Sequence, residues 1–576
     1  MSRGKAFSGL CLSIIGVMCV SAFLYAAAET RVADAAEKGD RNTVRSLLKQ
    51  AVDVNAAQGD GMTALHWAAL NGDTEMAQML LYAGANVKAM TRLGGFTPLF
   101  MAGKNGNAGV VEALLKGGAD PKLASSNGVT PLMMAASSGD KDSVRLLLER
   151  GANANAKDTD RGQTALAYAA SFNRPEAIKV LLQHGAQPDL PSNLIQPAVA
   201  APRGGGGGQR GGIPTVAGGQ PGAAEQAAAA AAQARNNGAE EGGKGGGNPK
   251  GVLTPLMYAA RQGSFEAARA MLDGGANLNA VNGDKSTALL LATINGQFDI
   301  AKMLVEAGAD VTLASMDGAT PLYGVVNTQW ARKSFQPQPT ARYEKTTYID
   351  LMTLLMDRGA NPNARLTKEL WYSEYNRDLQ SATAAGATPF WKCADVGDID
   401  GMRLLLSRGA DPNISSVDGV TPLLIASGAG VHGNDDVTAP MGRLVAVKYL
   451  VEEMHANVNA ADTGAGGRGQ SVVGPATEQV AAPAAGQGGT QAAPAPPQGG
   501  RANGGYTALH NAAARGDNAM ILYLVSKGAN PAAVSKGGVT VVDMANGPRQ
   551  RIQPYPETVA LLELLGARNS YKCVSC

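Results

Sequence analysis

Two thiols at the end of the sequence, in Cys573-Val574-Ser575-Cys576, have the C-x-x-C spacing used by dithiol redox sites, zinc half-sites and, when a histidine follows, haem attachment. The sequence shows no axial histidine, no second ligand pair and no βαβ pattern to accompany them. That weakens the haem, zinc and thioredoxin-like readings and leaves Cys573 and Cys576 as a tail disulfide, an intermolecular bridge or, in the alternative reading of the whole chain, the working group of an accessory redox or metal-handling protein. His432, Asp435 and Asp436 offer nitrogen and oxygen donors, but within one loop and without a second cluster, so they read as a solvated loop. The run Gly238 to Gly245 (GAEEGGKG) nearly spells a phosphate-binding loop, yet Gly245 replaces the Ser or Thr that would reach magnesium and no strand precedes it. No nucleophile, base and orienting residue fall together, so the chain is expected to have no catalytic residues, no metal ligands and no cofactor.

The other concentration of chemistry is aromatic. Ten of the chain's 27 aromatic residues lie from Tyr323 to Trp391, most of them outside any regular pattern. Aromatic and arginine side chains make strong interface anchors. Trp330, Arg332, Phe335, Arg342, Tyr343, Trp371, Tyr372 and Tyr375 are therefore candidate partner-binding residues, with Arg365 and Arg377 nearby. The competing reading is that these segments pack on each other and cover one side of the molecule.

The elements that must position these residues repeat. The stretch Asn127 to Ala156, NGVTPLMMAASSGDKDSVRLLLERGANANA, is rewritten along the chain, its threonine recurring at Thr63, Thr97, Thr130, Thr164, Thr254, Thr287, Thr320, Thr388, Thr421, Thr507 and Thr540. Within each uninterrupted block the spacing is 33 or 34 residues. Such a period marks units that bury their apolar faces only against their neighbours. Within the unit, the Thr130 hydroxyl suits a helix N-cap and Pro131 the first helical position. Gly139 suits the end of that helix. Asp142 is read as opening a second helix with Val144, Leu147 and Leu148 on one face, closed by Gly151.

This motif resembles the ankyrin repeat. The resemblance implies an all-α solenoid of about twelve helix-turn-helix units with finger loops, working as a non-catalytic platform whose concave fingers and first helices hold another protein. It also implies a structural role for the histidine after the TPL step, His66 and His510 here, in fixing the turn. Thr130, Pro131 and Gly151 are structural as well.

The units group into blocks. Residues 29–189 hold an N-terminal cap and four units; 251–461 hold further units with insertions at 327–347 and 365–384; 504–567 hold a unit and a C-terminal cap, followed by the tail 568–576. Residues 190–250 and 462–503 are Gly, Ala and Pro-rich and are expected to be flexible, looped out of one continuous, monomeric array. Fifty basic against 48 acidic side chains leave no excess for neutralising phosphates, so nucleic acid is not an expected partner. Arg3 and Lys5 precede an uncharged run from Phe7 to Ala28 ending in three alanines, the pattern of a signal peptide over residues 1–28. Cleavage before Glu29 predicts a periplasmic or secreted protein without a membrane span; an uncleaved run would instead anchor it.

Overall fold

The structure is a computed structural model that describes residues 30–195, 250–330, 341–368, 370, 383–429, 442–464, 504–546 and 554–570. The run Phe7 to Ala28, the glycine tract at 238–245, His432 with Asp435 and Asp436, and both tail cysteines lie outside these residues. Among the described residues, twenty-four α-helices form twelve successive pairs, the all-α solenoid expected.

The unit at Thr130 shows how local sequence builds a pair. Thr130 Oγ1 accepts the Met133 N–H at 3.3 Å, Pro131 opens the inner helix Pro131–Ser138, and Gly139 ends it at φ +88°. The outer helix is Lys141–Glu149, and its cap is Asp140, which accepts the Ser143 N–H at 3.2 Å. The expected opening at Asp142 is thus two residues late: the cap must lie outside the helix to reach its orphan N–H groups, and Asp142 sits within the first turn. Ala135, Ala136, Val144 and Leu147 are fully buried. Inner helices pack on inner helices, as Pro98–Asn105 does between Ala64–Leu70 and Pro131–Ser138, while outer helices form a second layer behind them. Each fully buried leucine contributes about 1.5–3 kcal/mol, its cover supplied by the partner helix of its own pair and by the adjoining units.

Polar links set the register between units. Each finger donates a backbone N–H to the finger before it, from Arg92 to Asp60 O, Ser126 to Gly94 O and Thr159 to Asn127 O at 2.8–2.9 Å. The ladder continues past the long insertions through Asn193 to Arg161 O, Gly283 to Gly251 O, Thr367 to Asp317 O, Val417 to Ala385 O, Thr463 to Asp418 O and Lys536 to Gly504 O. Asparagines add a second seam: Asn459 donates to Gly528 O at 2.9 Å and accepts from Asn530 N at 2.8 Å, across the 462–503 tract. Helix Ala165–Ser171 packs directly on Pro255–Gln262, so the stack also runs on past 190–250.

The ends of the insertions are part of the array, a correction to their expected extents. Leu194–Ile195 pairs antiparallel with Lys250–Gly251, and Ser192 N donates to Leu253 O, completing one finger. Leu366 and Leu370 are buried, and Leu366 exchanges backbone bonds with Gly386 and Ala387. Helix Pro321–Gln329 runs three residues beyond Val326. In each case a neighbouring unit supplies hydrogen-bond partners or apolar cover that composition alone does not reveal.

His66 and His510 link a unit to the next finger. His66 Nδ1 accepts from Thr63 N at 3.2 Å, and its Nε2 lies 2.9 Å from Phe96 O, which assigns the neutral Nε2–H tautomer. His510 repeats this with Thr507 and Val539 O. At the same position Trp391 donates Nε1–H to Val420 O at 2.8 Å, and Asp543 joins Thr540 N to the Ser570 hydroxyl.

Two outcomes are expected. A fragment 504–576 made alone loses the stacking of Asn511 on Leu424 and Ser427 and should show no cooperative thermal transition by circular dichroism. Burial lowers the His66 pKa, so its contribution is complete above the unfolded imidazole pKa of about 6.5 and is lost as pH falls below it. His66→Asn should cost about 1–3 kcal/mol at pH 8, and the urea-midpoint gap between variant and parent should narrow at pH 5; an unchanged gap would refute the assignment.

Candidate functional site

The helices are antiparallel within a pair, so the fingers project at one edge of the stack and the short turns between inner and outer helices lie at the other. The fourth residue after each recurring threonine falls at one place on the inner helix: Trp67, Met101, Met134, Tyr168, Tyr258 and Leu291 in the first six threonine-led units. Trp67, Met134 and Tyr168 are half-buried, leaving part of each side chain open.

The polar tips of the two rings are tied to the fingers. Trp67 Nε1–H donates to Gln58 Oε1 at 2.7 Å, and Gln58 in turn donates to Asp34 and Glu37 at 2.8 and 2.9 Å. Tyr168 Oη donates to Asp158 Oδ2 at 3.2 Å, while Asp158 Oδ1 takes the Arg161 and Gly162 N–H groups. Burial, with the Asp158 charge beside it, pushes the Tyr168 pKa far up, so the phenol remains a donor. These bonds fix the rings before anything docks, which reduces the entropy lost on binding.

Further along, the row changes character. The equivalent residues are Gly324, Lys392, Ile425, Asn511 and Met544. Lys392 is held by Asp395 at 2.8 Å, and Arg443 approaches the same carboxylate at 3.9 Å while donating to Ile425 O at 3.1 Å. Asn511 donates to Leu424 O and Ser427 Oγ. Aromatic side chains thus occupy this position only in the first six units, whereas in the later five it holds Gly324, Ile425 and Met544 and the polar Lys392 and Asn511.

The turn edge holds a different cluster. Asp398, only 2% exposed, caps helix Ile399–Ser407 through Gly401 N at 2.9 Å. The same carboxylate accepts Trp330 Nε1–H at 3.0 Å and Tyr348 Oη–H at 3.1 Å, and the two rings meet edge to face at 5.8 Å. Burial pushes the Asp398 carboxyl pKa up and raises the Cys393 thiol well above its ordinary value. Cys393 is fully buried, the small core residue its place on an inner helix suggests.

Of the candidate partner-binding residues, Trp330 thus lies half-buried against Tyr348 and Asp398, and Tyr343 stands 75% exposed on the turn Ala341–Tyr343. Arg342 is described in its backbone alone, and Arg332, Phe335, Trp371, Tyr372 and Tyr375 lie outside the described residues. Among the described residues no group of three or more His, Cys, Asp or Glu side chains could hold a metal ion. Sequence reasoning passed over Trp67, Tyr168 and Asp398; aligning the units on their threonines would have exposed the first two, whereas Asp398 has no sequence signal beyond its capping place.

A family model described as ankyrin repeats in three copies matches residues 32–124, 99–192 and 230–315, and a single-repeat model matches 385–416 and 504–536. Together these matches cover more than half of the chain. It is 46% identical over 57 residues to the palmitoyltransferase akr1 of Schizosaccharomyces pombe (10% of this chain, 9% of that protein). It is likewise 42% identical over 74 residues to the tyrosine-protein kinase HTK16 of Hydra vulgaris (12% of this chain, 10% of that protein). The chain spans about a tenth of the length of these curated relatives. Ankyrin repeats indicate a protein–protein interaction scaffold, and proteins built of them are generally not enzymes. On its family matches and its twelve helix pairs, the chain belongs to the ankyrin-repeat family.

Proposed function

We propose that this chain is an exported, non-catalytic scaffold that holds a partner protein on the first half of its concave face, with the insertion loops contributing further contacts. The observation that carries this reading is the half-buried row Trp67, Met134 and Tyr168, whose rings are braced by Gln58 and Asp158. Braced, partly open aromatic side chains beside adaptable methionines supply contact area at low entropic cost. Export, to the periplasm or outside the cell, is supported by the uncharged run Phe7 to Ala28 behind Arg3 and Lys5. Among the described residues no helix is long and apolar enough to cross a membrane.

A second reading assigns the tail to thiol chemistry. Its support is the bond from Ser570 Oγ to Asp543 Oδ1 at 2.7 Å, which pins the chain three residues before Cys573.

Three measurements check these readings. Trp67→Ala with Tyr168→Ala should lower recovery of the co-purifying partner at least tenfold while the circular-dichroism melt stays within a few degrees; undiminished recovery would remove the concave face from the proposal. Intact mass of the chain from a secreting host should begin at Glu29, and retention of residues 1–28 would favour the anchored form. Thiol labelling of that material should find Cys573 and Cys576 exchanging with added glutathione disulfide if the tail is redox-active; inert cysteines eliminate the second reading.

A further inference from the structure

We infer that residues 341–347 form an acid-tightened latch: the carboxyl groups of Glu344 and Asp299 meet at one helix start and share a proton, so the turn is held more firmly to the preceding unit as pH falls. The latch is separate from the concave face, and its test needs no partner.

The joint is made by two carboxyl groups. Helix Phe298–Glu306 begins after Gln297, which gives it no side-chain cap. The cap comes from the turn instead: Glu344 Oε2 accepts the Asp299 N–H at 2.9 Å. Asp299 answers by accepting Thr346 N and Thr346 Oγ1 at 2.9 and 2.7 Å and Lys345 N at 3.2 Å. This is a reciprocal cap made across some 45 residues of chain. Regular units open the outer helix with a single capping carboxylate, such as Asp73 or Asp140. Here two serve one helix start, and like charges held so close disfavour ionisation of both. The number of donors decides which group takes the proton. Asp299 accepts three hydrogen bonds and stays the carboxylate, whereas half-buried Glu344 accepts one, from a backbone N–H. Burial, then the charge of Asp299 and a hydrogen bond to its carboxylate, raise the Glu344 pKa; against the effect of burial, the Thr346 and Lys345 donors hold Asp299 below its ordinary value. Protonated Glu344 keeps one oxygen for the Asp299 N–H and offers its O–H to the Asp299 carboxylate. Ionised, it has no proton to offer and repels that carboxylate.

The described side chains around the joint do not neutralise the pair. Helix Pro321–Gln329, on which the turn packs, carries no charged residue. Lys345 of the turn is exposed, and Lys302 of helix Phe298–Glu306 lies 3.9 Å from Glu306. Helix Tyr348–Asp357 adds Asp350, to which Thr347 donates, and the following unit adds Asp398 and Asp400. The start of the preceding outer helix, Phe265–Asp273, adds Glu266, while its Arg269 stacks over the Phe265 ring. Acids outnumber bases among these groups, which further favours a proton on Glu344. A released turn has an ordinary glutamate, with a pKa of about 4.3, and the latched value is higher. The contribution of the shared proton is therefore complete below about pH 4.3 and is lost as pH rises through the latched pKa. What the latch steadies is the position of Tyr343, which stands 75% exposed on the turn between buried Ala341 and Thr346.

The test is amide hydrogen exchange of the full chain, read by mass spectrometry at about pH 4.5 and about pH 7.5 and corrected for the intrinsic exchange rate. Protection of the Asp299, Lys345 and Thr346 amides should be about fivefold or more greater at the lower pH. The Met133 amide, held by the Thr130 hydroxyl, should show no such change. Glu344→Gln, which is neutral at every pH and can still donate to Asp299, should keep the high protection at both values. Glu344→Ala should lose it at both; if that variant melts early, Glu344→Gln decides. Protection in the parent that is equal at the two values or greater at pH 7.5, or a fall in Glu344→Gln as large as the parent's, overturns the inference.

Discussion

No unit of this chain can complete its own core, and the contact between one unit and the next is the constraint on which the rest depends. Leucines and alanines supply most of the energy, but they are non-directional and would tolerate slippage. Direction comes from the finger ladder and the asparagine seam, in which each backbone N–H has one carbonyl to meet. Each such bond contributes only about 0.5–1.5 kcal/mol net. Repeated along the stack, and costly to leave unmade when buried, they select one register for the whole array.

The same constraint explains why one position can hold chemically different residues. His66, Trp391 and His510 each bring a ring nitrogen to a carbonyl of the following finger, and Asp543, in the last described helix pair, takes the Ser570 hydroxyl. Where this position is polar its atom meets a partner at a given reach; elsewhere it holds core residues such as Phe100, Met133, Leu290 and Leu424. A buried histidine here is a connector, and its lowered pKa follows from burial.

Insertions respect this architecture. Those flanked by Ile195 and Lys250, by Leu370 and Thr383, and by Gly464 and Gly504 leave from fingers; those after Trp330 and Ala429 leave from turns. Their roots are stitched to neighbouring units, so stacking continues past them. Asp398 is the clearest case: an ordinary capping residue that, by also receiving Trp330 and Tyr348, closes the base of one insertion.

The sequence by itself determined the period, the threonine caps, the number of helix pairs and the alanine and leucine faces, because each depends on residues within one unit. It also marked Tyr343 and its arginine neighbours as unneeded by the repeat. Helix starts were legible to within two residues, as at Asp140, where capping geometry decides between neighbouring carboxylates. Only the tertiary structure decided that Trp67 and Tyr168 are braced by the fingers, that Glu344 caps a helix of the preceding unit, and that Asp398 gathers donors from both sides of an insertion. The last two join groups 45 to 68 residues apart across insertions that have no repeat period, so local pattern contains no trace of them.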